Sequence, residues 1–155
     1  MTRTPPRSAG ILVFRRRQAL EVLLAHPGGP FWAKKDAGAW TIPKGLVEPG
    51  ADLMATARRE FAEETNLLLP DGAFIALAPV KQKSGKLVHA FAVEADLELA
   101  QFASNTFEIE SPSKSGRRQA FPEIDRVAYF SVPDAMNKII AYQRPLLTEL
   151  AGRNG

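Results

Sequence analysis

Three glutamates lie close together in the segment 57–67, which reads ARREFAEETNL. On a helix, Glu60 lies about one turn from Glu63 and Glu64, so the three carboxylates project from neighbouring positions. Like charges at this spacing cost about 0.2–0.5 kcal/mol per pair, and each carboxylate in a last turn opposes the helix dipole by about 0.3–1 kcal/mol. A bound cation would reverse these signs. Mg²⁺ is the natural candidate, with Mn²⁺ as a substitute, because it prefers oxygen ligands and is commonly held by carboxylates together with substrate phosphates.

The alternative is a solvated acidic face, in which Arg59 and Glu63 form an ion pair one turn apart. An arginine that precedes its glutamate is the weaker orientation for such a pair. The unfavourable charges therefore indicate a cation site rather than a solvated face.

A helix over residues 52–65 would position these acids. Leu53, Ala57 and Phe61 recur every four residues and form one apolar stripe that would face the core. Asp52 is suited to the N-cap, and Asn66 is suited to a left-handed residue just beyond the helix.

Apolar, β-branched segments on both sides of this helix predict strands. They are GILVF (10–14), ALEVLLAH (19–26), WTIP (40–43), FIALAPVKQ (74–82), LVHAFAVEADL (87–97) and RVAYFSV (126–132). Segments 28–39 and 44–50 are rich in Gly and Pro and predict loops, and 104–122 predicts a long polar loop. Pro133 is expected to open a further helix that is interrupted at Pro145. This mixture predicts an α/β (α+β) fold, a mixed sheet between helices.

Length and composition favour one domain over residues 1–155, with 1–8 and 152–155 as loose termini. The chain has no cysteine, which excludes disulfides, thiolate metal sites and cysteine nucleophiles. No apolar run is long enough for a membrane span, and the first ten residues lack a signal core, so we expect a cytoplasmic protein without a membrane partner. The net charge of +3 fits a small polyanionic substrate. No long basic stripe suits extended nucleic acid, and the chain is expected to be a monomer or homodimer.

The segment 45–67 resembles the signature of the Nudix family. That signature is Gly, five residues, Glu, seven residues, Arg-Glu, an apolar residue, any residue, Glu-Glu, any residue, Gly and an apolar residue. Gly45 opens the pattern at the family's spacing, residues 59–65 supply its centre, and Leu67 closes it. Asn66 stands where the second Gly belongs, which is a mild change because Asn also adopts the left-handed conformation.

Ala51 stands where the first glutamate of the signature belongs. In the family, that glutamate assists metal binding. Asp52 or Glu48 would have to replace it. This departure favours a second hypothesis, a Nudix-fold module that binds nucleotides as a sensor without hydrolysing them.

The resemblance implies a Nudix fold and a Mg²⁺-dependent pyrophosphohydrolase that cleaves a phosphoanhydride bond of a nucleoside polyphosphate. It also implies a metal-binding set of Glu60, Glu63 and Glu64, with Glu60 as a candidate general base and Glu63 as a further catalytic residue. Arg59 would orient one of the glutamates through a charge-assisted hydrogen bond. Gly45 would let the backbone approach the metal, and the Lys44 carbonyl would be an extra ligand.

Family members often add a fourth acid from a loop before a late strand. Glu123 lies in the corresponding place in FPEIDRVAYF and is chosen over Glu108, Glu110 and Asp125. The two histidines, His26 and His89, lie in apolar segments and are interpreted as structural.

The segment WTIPKGLVEPG (40–50) is similar to Nudix hydrolases of dinucleoside polyphosphates such as diadenosine tetraphosphate; members acting on inositol pyrophosphates carry a similar Pro-Lys-Gly. We therefore expect a dinucleoside polyphosphate or an NTP as substrate. Residues 82–85 have neither the Pro that marks ADP-ribose enzymes nor the Tyr that marks some dinucleoside enzymes. Decapping of RNA 5′ ends is a third hypothesis, since it uses the same chemistry.

Substrate contacts are predicted from two loops and from Lys44. Trp32 or Phe31 would stack on a base, and Lys34 would bind phosphate. Lys44 would pair with a phosphate as a point charge. Arg117, in the basic group of the segment 104–122, would close over the phosphates.

Overall fold

A mixed sheet with the strand order β4-β6-β1-β2-β9 forms the centre of the computed structural model, which describes residues 5–154. The elements in chain order are β1 (Arg7–Arg16), β2 (Leu20–Pro27), β3 (Lys44–Leu46), α1 (Leu53–Thr65), β4 (Ile75–Ala76), β5 (Val80–Lys81), β6 (Leu87–Glu94), β7 (Thr106–Glu110), β8 (Arg118–Pro122), β9 (Ile124–Ser131), α2 (Val132–Lys138) and α3 (Arg144–Asn154). Short 3₁₀ helices lie at Leu99–Gln101 and Ala141–Gln143. None of the helices in the described range has the length and apolarity needed to cross a membrane.

Strand β1 joins the parallel and antiparallel parts of the sheet. It pairs parallel with β6 and antiparallel with β2, and β3 pairs with its first residues. Successive side chains of a strand point to opposite faces. Leu12 and Phe14 therefore pack in one core cluster with α2 and α3, and Ile11 and Val13 pack in the other with α1. The predicted mixed sheet between helices is confirmed.

The polar segment 104–122 is not the long loop that its composition predicts. It forms the hairpin of β7 and β8, in which Phe107 lies opposite Phe121 with ring centroids 6.2 Å apart. Residues 111–117 alone connect the two strands. The alternation in TFEIE places its apolar residues on one face, which is the periodicity of a strand.

The C-terminal helical segment is interrupted before Pro145 rather than at it. Helix α2 ends at Lys138, and Ile139 is extended and bridges to Trp40. Pro145 is the second residue of α3, where its missing N–H would have had no helical partner. Pairing with Trp40 thus sets the interruption.

Several predicted boundaries also shift. Residues 44–46, predicted as loop, form β3, and WTIP forms only bridges at Trp40 and Thr41. The predicted strand 74–82 is divided into β4 and β5. Residues 7–8 begin β1 and 152–154 end α3, so these positions are not loose termini; residues 1–4 and 155 lie outside the described part of the chain.

Candidate active site

Helix α1 is capped at both ends as its sequence predicts. The Asp52 side chain accepts a hydrogen bond of 2.8 Å from the backbone N–H of Ala55. Asn66 has a φ of 60°, and its backbone N–H bonds the carbonyl of Ala62. Ala57 and Phe61 are buried beneath the sheet, which turns Glu60 and Glu64 toward β3. The Asp52 carboxylate is therefore engaged in capping α1.

Gly45 lies in direct contact with the side chain of Glu60. A Cβ built on Gly45 would lie 2.0 Å from Cδ and 2.2 Å from Oε2 of Glu60. Real Cβ atoms do not approach other heavy atoms so closely, so no residue larger than glycine fits here without moving the carboxylate. Gly45 itself pairs with Ala9 of β1, and this pairing fixes the backbone against which Glu60 packs.

Four carboxylates line one cleft of about 440 Å³ between α1, β3 and the start of β9, hereafter the acidic cleft. Its lining residues are Lys44, Gly45, Leu46, Glu48, Arg59, Glu60, Glu64, Asn105 and Glu123. The acids come from three separate segments: Glu48 from the loop after β3, Glu60 and Glu64 from α1, and Glu123 from the residue between β8 and β9. The fold therefore brings distant acids to one place.

The acidic cleft favours protonation of its buried acids. Burial, followed by the charge of Glu60, raises the pKa of Glu64 to about 8. Burial and the charge of Glu60 also raise the pKa of Glu123. Burial lowers the pKa of Lys44, and the attraction of Glu64 and Glu60 opposes this. Without a bound cation, the positive charge of Lys44 therefore does not balance the negative charge of the glutamates in the cleft.

Glu63 is oriented differently from the other two glutamates of α1. It is not among the residues that line the acidic cleft, and its side chain is 44% exposed. Nη1 of Arg59 lies 3.3 Å from Oε1 of Glu63 and 3.4 Å from Oε1 of Glu60. Arg59 therefore bridges two glutamates, one inside the cleft and one outside it.

The donor set of the acidic cleft fits a hard divalent cation. In the described part of the chain, no three His, Asp or Glu side chains are gathered closely enough to hold a metal ion between them. Mg²⁺ does not require such a cage, since it keeps several waters and binds through one or two carboxylates plus substrate phosphates. Glu60 and Glu64 provide those carboxylates, with Glu48 and Glu123 at the same cleft. A cation would also relieve the repulsion that raises the pKa of Glu64.

A second cavity, of about 280 Å³, adjoins the acidic cleft and is hereafter the aromatic pocket. The two share Lys44, Glu64 and Glu123. The remaining lining residues of the aromatic pocket are Pro27, Trp32, Ala39, Thr41, Ile42, Gln82, Ile124, Ile140 and Tyr142. A ligand in this pocket would therefore lie beside Glu64 and Glu123.

The structure places some predicted substrate residues outside both cavities. Lys34 lines a separate basic cavity of about 700 Å³, together with Arg126 and Lys138. Arg117 is exposed at the turn of the β7–β8 hairpin and lines neither the acidic cleft nor the aromatic pocket. Phe31 is 67% exposed, and the ammonium of Lys35 lies over its ring, 3.6 Å from the ring centroid, in a cation–π contact.

Trp40 and His26 have structural roles. Trp40 is buried in the core and donates a hydrogen bond of 2.8 Å to Asp36. His26 is fully buried and lies 2.8 Å from a carboxylate oxygen of Asp125. Asp125 is thereby engaged away from the acidic cleft, whereas Glu123 lines it.

Sequence reasoning missed the polar side chains that lie far from the signature. Asn105 lines the acidic cleft because its backbone N–H bonds the carbonyl of Glu63 at 3.0 Å. Tyr142 and Gln82 line the aromatic pocket. No spacing in the sequence relates these residues to α1. They come together only through the tertiary fold.

A mixed sheet between helices, with Gly45 of β3 packed against Glu60 of α1, agrees with the Nudix-type domain that the sequence signature implies. Comparison with known families agrees, since the NUDIX domain matches residues 4–150. The chain therefore belongs to the NUDIX family, whose members are typically metal-dependent pyrophosphohydrolases. The family and fold predicted from the sequence are confirmed.

One curated relative shares a short segment with the chain. The mitochondrial ADP-ribose pyrophosphatase of Rattus norvegicus is 55% identical over 31 residues, which make up 20% of this chain and 9% of the rat protein. The chain thus aligns with only a small part of that relative's length.

Solved structures show the same fold at low sequence identity. The NUDIX domain of Shewanella oneidensis NrtR, complexed with ADP ribose, is 18% identical with a TM-score of 0.64, over 99% of this chain and 90% of that one. A binary complex of the C. elegans Ap4A hydrolase is 22% identical with a TM-score of 0.59, over 95% and 97% of the two chains. A mutT/nudix family protein from Listeria innocua is 16% identical with a TM-score of 0.65, over 98% and 96%.

Proposed function

We propose that this protein is a Mg²⁺-dependent pyrophosphohydrolase that cleaves a phosphoanhydride bond of a nucleoside polyphosphate, either a dinucleoside polyphosphate or an NTP. The observation that carries the proposal is the junction of the acidic cleft with the aromatic pocket through Lys44, Glu64 and Glu123. One cavity suits a divalent ion and phosphates, and the other suits a base. The segment WTIPKGLVEPG, which is similar to hydrolases of dinucleoside polyphosphates, supports the substrate class.

The residues of the cleft have separate roles in this proposal. Glu60 and Glu64 would hold the metal ion, with Glu123 in the lining of the same cleft. When bound, a divalent ion screens the phosphate charge and lowers the pKa of water. Glu60, held in place by Gly45 and Arg59, would accept the proton of the attacking water.

Lys44 and Arg59 provide the positive charge of the acidic cleft. The ammonium of Lys44 would neutralise a phosphate oxygen as a point charge. Arg59 would hold the Glu60 carboxylate in its orientation, since Nη1 is 3.4 Å from Oε1 of that residue. Glu63 would act through Arg59 rather than on the substrate, because it lies outside the cleft lining.

The test is hydrolysis of a panel containing diadenosine polyphosphates, the four NTPs, ADP-ribose and capped RNA, with product identity determined for each. We expect turnover with Mg²⁺ or Mn²⁺ and its loss in Glu64→Gln. Glu94→Gln is the matched control, because Glu94 is exposed and outside the cleft lining. Equal inactivity of the wild type and Glu64→Gln across the panel would overturn the proposal.

A second candidate is a NUDIX-fold module that binds nucleotides without hydrolysing them. Ala51 favours it, since the family glutamate is absent and the Asp52 carboxylate is committed to capping α1. This candidate predicts that nucleotides bind while the panel shows no turnover. Efficient turnover by the wild type would exclude it.

A further inference from the structure

The aromatic pocket contains a hydrogen-bond network whose direction is set by one backbone group. The backbone N–H of Ile42 donates to the side-chain oxygen Oε1 of Gln143 at 3.0 Å. Because a backbone N–H only donates, the acceptor must be the amide oxygen, and the opposite end of the Gln143 side chain is its NH₂ group. Gln143 is fully buried, so this orientation has no competition from solvent.

The NH₂ group of Gln143 in turn sets the direction of the Tyr142 hydroxyl. Nε2 of Gln143 lies 2.8 Å from Oγ1 of Thr41 and 2.9 Å from the hydroxyl oxygen of Tyr142. An amide NH₂ has no acceptor capacity, so the Tyr142 hydroxyl accepts at this contact and its own proton points elsewhere. Burial raises the pKa of Tyr142, which keeps that proton in place. The proton of Tyr142 is therefore directed away from Gln143, to the side of the hydroxyl where Gln82 lies.

We infer that Tyr142 and Gln82 recognise one nucleobase of the substrate, packed against Trp32, and that Gln143 is a positioning residue that makes the Tyr142 hydroxyl donate to an acceptor atom of the base. This inference rests on the proposed function, because the phosphates of the same ligand would lie in the acidic cleft. Gln82 lies beside the same hydroxyl and offers both a donor and an acceptor.

The composition of the aromatic pocket supports a base rather than another phosphate. Trp32 and Tyr142 provide aromatic surface, and Ile124 and Ile140 provide apolar surface. Bases stack on aromatic side chains with about 1–3 kcal/mol each. The only ammonium in the pocket lining, Lys44, is shared with the acidic cleft, so positive charge is confined to the end where phosphates would enter.

The size of the aromatic pocket limits what it holds. Its volume of about 280 Å³ lies just below the roughly 300–1,000 Å³ typical of small-molecule sites. It suits one base with part of its sugar. A dinucleoside polyphosphate would therefore be held at one end by this pocket, with its second base outside.

Calorimetric titration with methylene analogues of ADP, GDP, CDP and UDP in the presence of Mn²⁺ tests the inference without any hydrolysis. Methylenebisphosphonate, which has the phosphonates but no base, is the control ligand. We expect the wild type to prefer one base, and Tyr142→Phe to lose about tenfold in affinity for that analogue and most of the preference, as for one lost hydrogen bond. Affinity for methylenebisphosphonate should be unchanged.

Tyr129→Phe is the matched control, because the Tyr129 hydroxyl bonds the backbone of Ala95 and Leu97 and lines neither the aromatic pocket nor the acidic cleft. The inference would be overturned if the Tyr142→Phe variant bound all analogues with the affinity of the wild type. It would also be overturned if the variant lost as much affinity for methylenebisphosphonate as for the preferred analogue, because that would indicate a general change of the site.

Gln143→Glu tests the positioning role. A carboxylate would accept the Tyr142 proton and so turn it away from the base, although Tyr142 itself remains. We expect base preference to disappear while methylenebisphosphonate still binds; retained preference would overturn the role of Gln143. If this variant does not fold, Gln82→Ala replaces it as the second arm, with the same loss of preference expected and retained preference counting against the inference.

Tryptophan fluorescence gives an independent signal. The chain has two tryptophans, and Trp40 is buried in the core. Quenching by the preferred analogue should therefore come from Trp32 and disappear in Trp32→Phe. Quenching that persists in this variant would contradict packing of the base against Trp32. A base preference without turnover would retain this inference and reject the proposed hydrolase, whereas turnover without any base preference would do the opposite.

Discussion

Gly45 and Glu60 are in such close contact that a Cβ at position 45 would lie 2.0 Å from Cδ of Glu60. The first residue of the family signature therefore has a steric role toward the glutamate fifteen positions later. A side chain at position 45 would force the Glu60 carboxylate out of its present place. The contact also holds the Glu60 carboxylate against the backbone of β3, at the edge of the acidic cleft.

Gly45→Ala is expected to displace Glu60 and reduce hydrolysis by at least about 100-fold, since catalytic geometry tolerates little displacement. The clash is with the end of the Glu60 side chain, which can move, so the free energy of unfolding should change by less than the activity does. Steady-state kinetics and urea unfolding check the two effects. Gly72→Ala is the control, because its Cβ would lie 3.9 Å from the nearest atom, an ordinary contact with Val93. Similar activity in the two variants would show that Glu60 does not need this support.

The raised pKa of Glu64 predicts how the stability of the metal-free protein depends on pH. The group titrates at about 8 when folded, against 4.5 as its ordinary value, so the folded state binds the proton more tightly. Its contribution is fully present below about pH 4.5 and is lost as the pH rises through about 8. Glu64→Gln cannot ionise and should remove this decline, making the variant more stable than the wild type at pH 9.

Denaturant unfolding in EDTA between pH 5 and 9 measures this effect, with Glu94→Gln as a control that should follow the wild type. Added Mg²⁺ should stabilise the wild type above pH 8 and leave Glu64→Gln largely unchanged. Parallel pH profiles for the wild type and Glu64→Gln would contradict the assignment of the decline to this side chain.

The sequence allowed the family, the central helix and its caps to be predicted, because these depend on local spacing. The stripe of Leu53, Ala57 and Phe61 and the cap at Asp52 need no knowledge of distant contacts. The β7–β8 hairpin was not predicted, because the polar composition of the segment indicated a loop although Phe107 and Ile109 alternate with polar residues as in a strand. Long-range pairing outweighed local helical preference at Ile139.

The candidate site was predictable where it depends on the signature and not where it depends on folding. Glu60 and Glu64 line the acidic cleft, but whether Glu63 would do so depended on the exact angle of α1 against β3. Tyr142 and Gln82 are sixty residues apart and meet only because the 3₁₀ helix at Ala141–Gln143 lies near β5 in the fold. No pattern along the chain records that proximity.

Asp52 and Glu48 are expected to differ sharply when substituted, although both are acids near Ala51. Asp52→Ala removes the N-cap of α1 and should cost about 1 kcal/mol of stability with little effect on metal affinity. Glu48→Gln removes a carboxylate from the acidic cleft and should weaken Mn²⁺ binding by about tenfold with little effect on stability. Calorimetric Mn²⁺ titration and thermal unfolding separate the two. The reverse pattern would mean that Asp52 leaves its cap to bind metal.

Restoring the family glutamate tests whether Glu48 already takes its place. Ala51→Glu adds a carboxylate three residues beyond Glu48, whose backbone carbonyl accepts from the Ala51 N–H at 2.9 Å. We expect Ala51→Glu to change Mn²⁺ affinity little in the wild type and to recover most of the loss in Glu48→Gln. A double-mutant cycle over the four proteins measures this coupling. Equal gains in both backgrounds would show that the two carboxylates act independently and that the native cleft lacks a donor at this position.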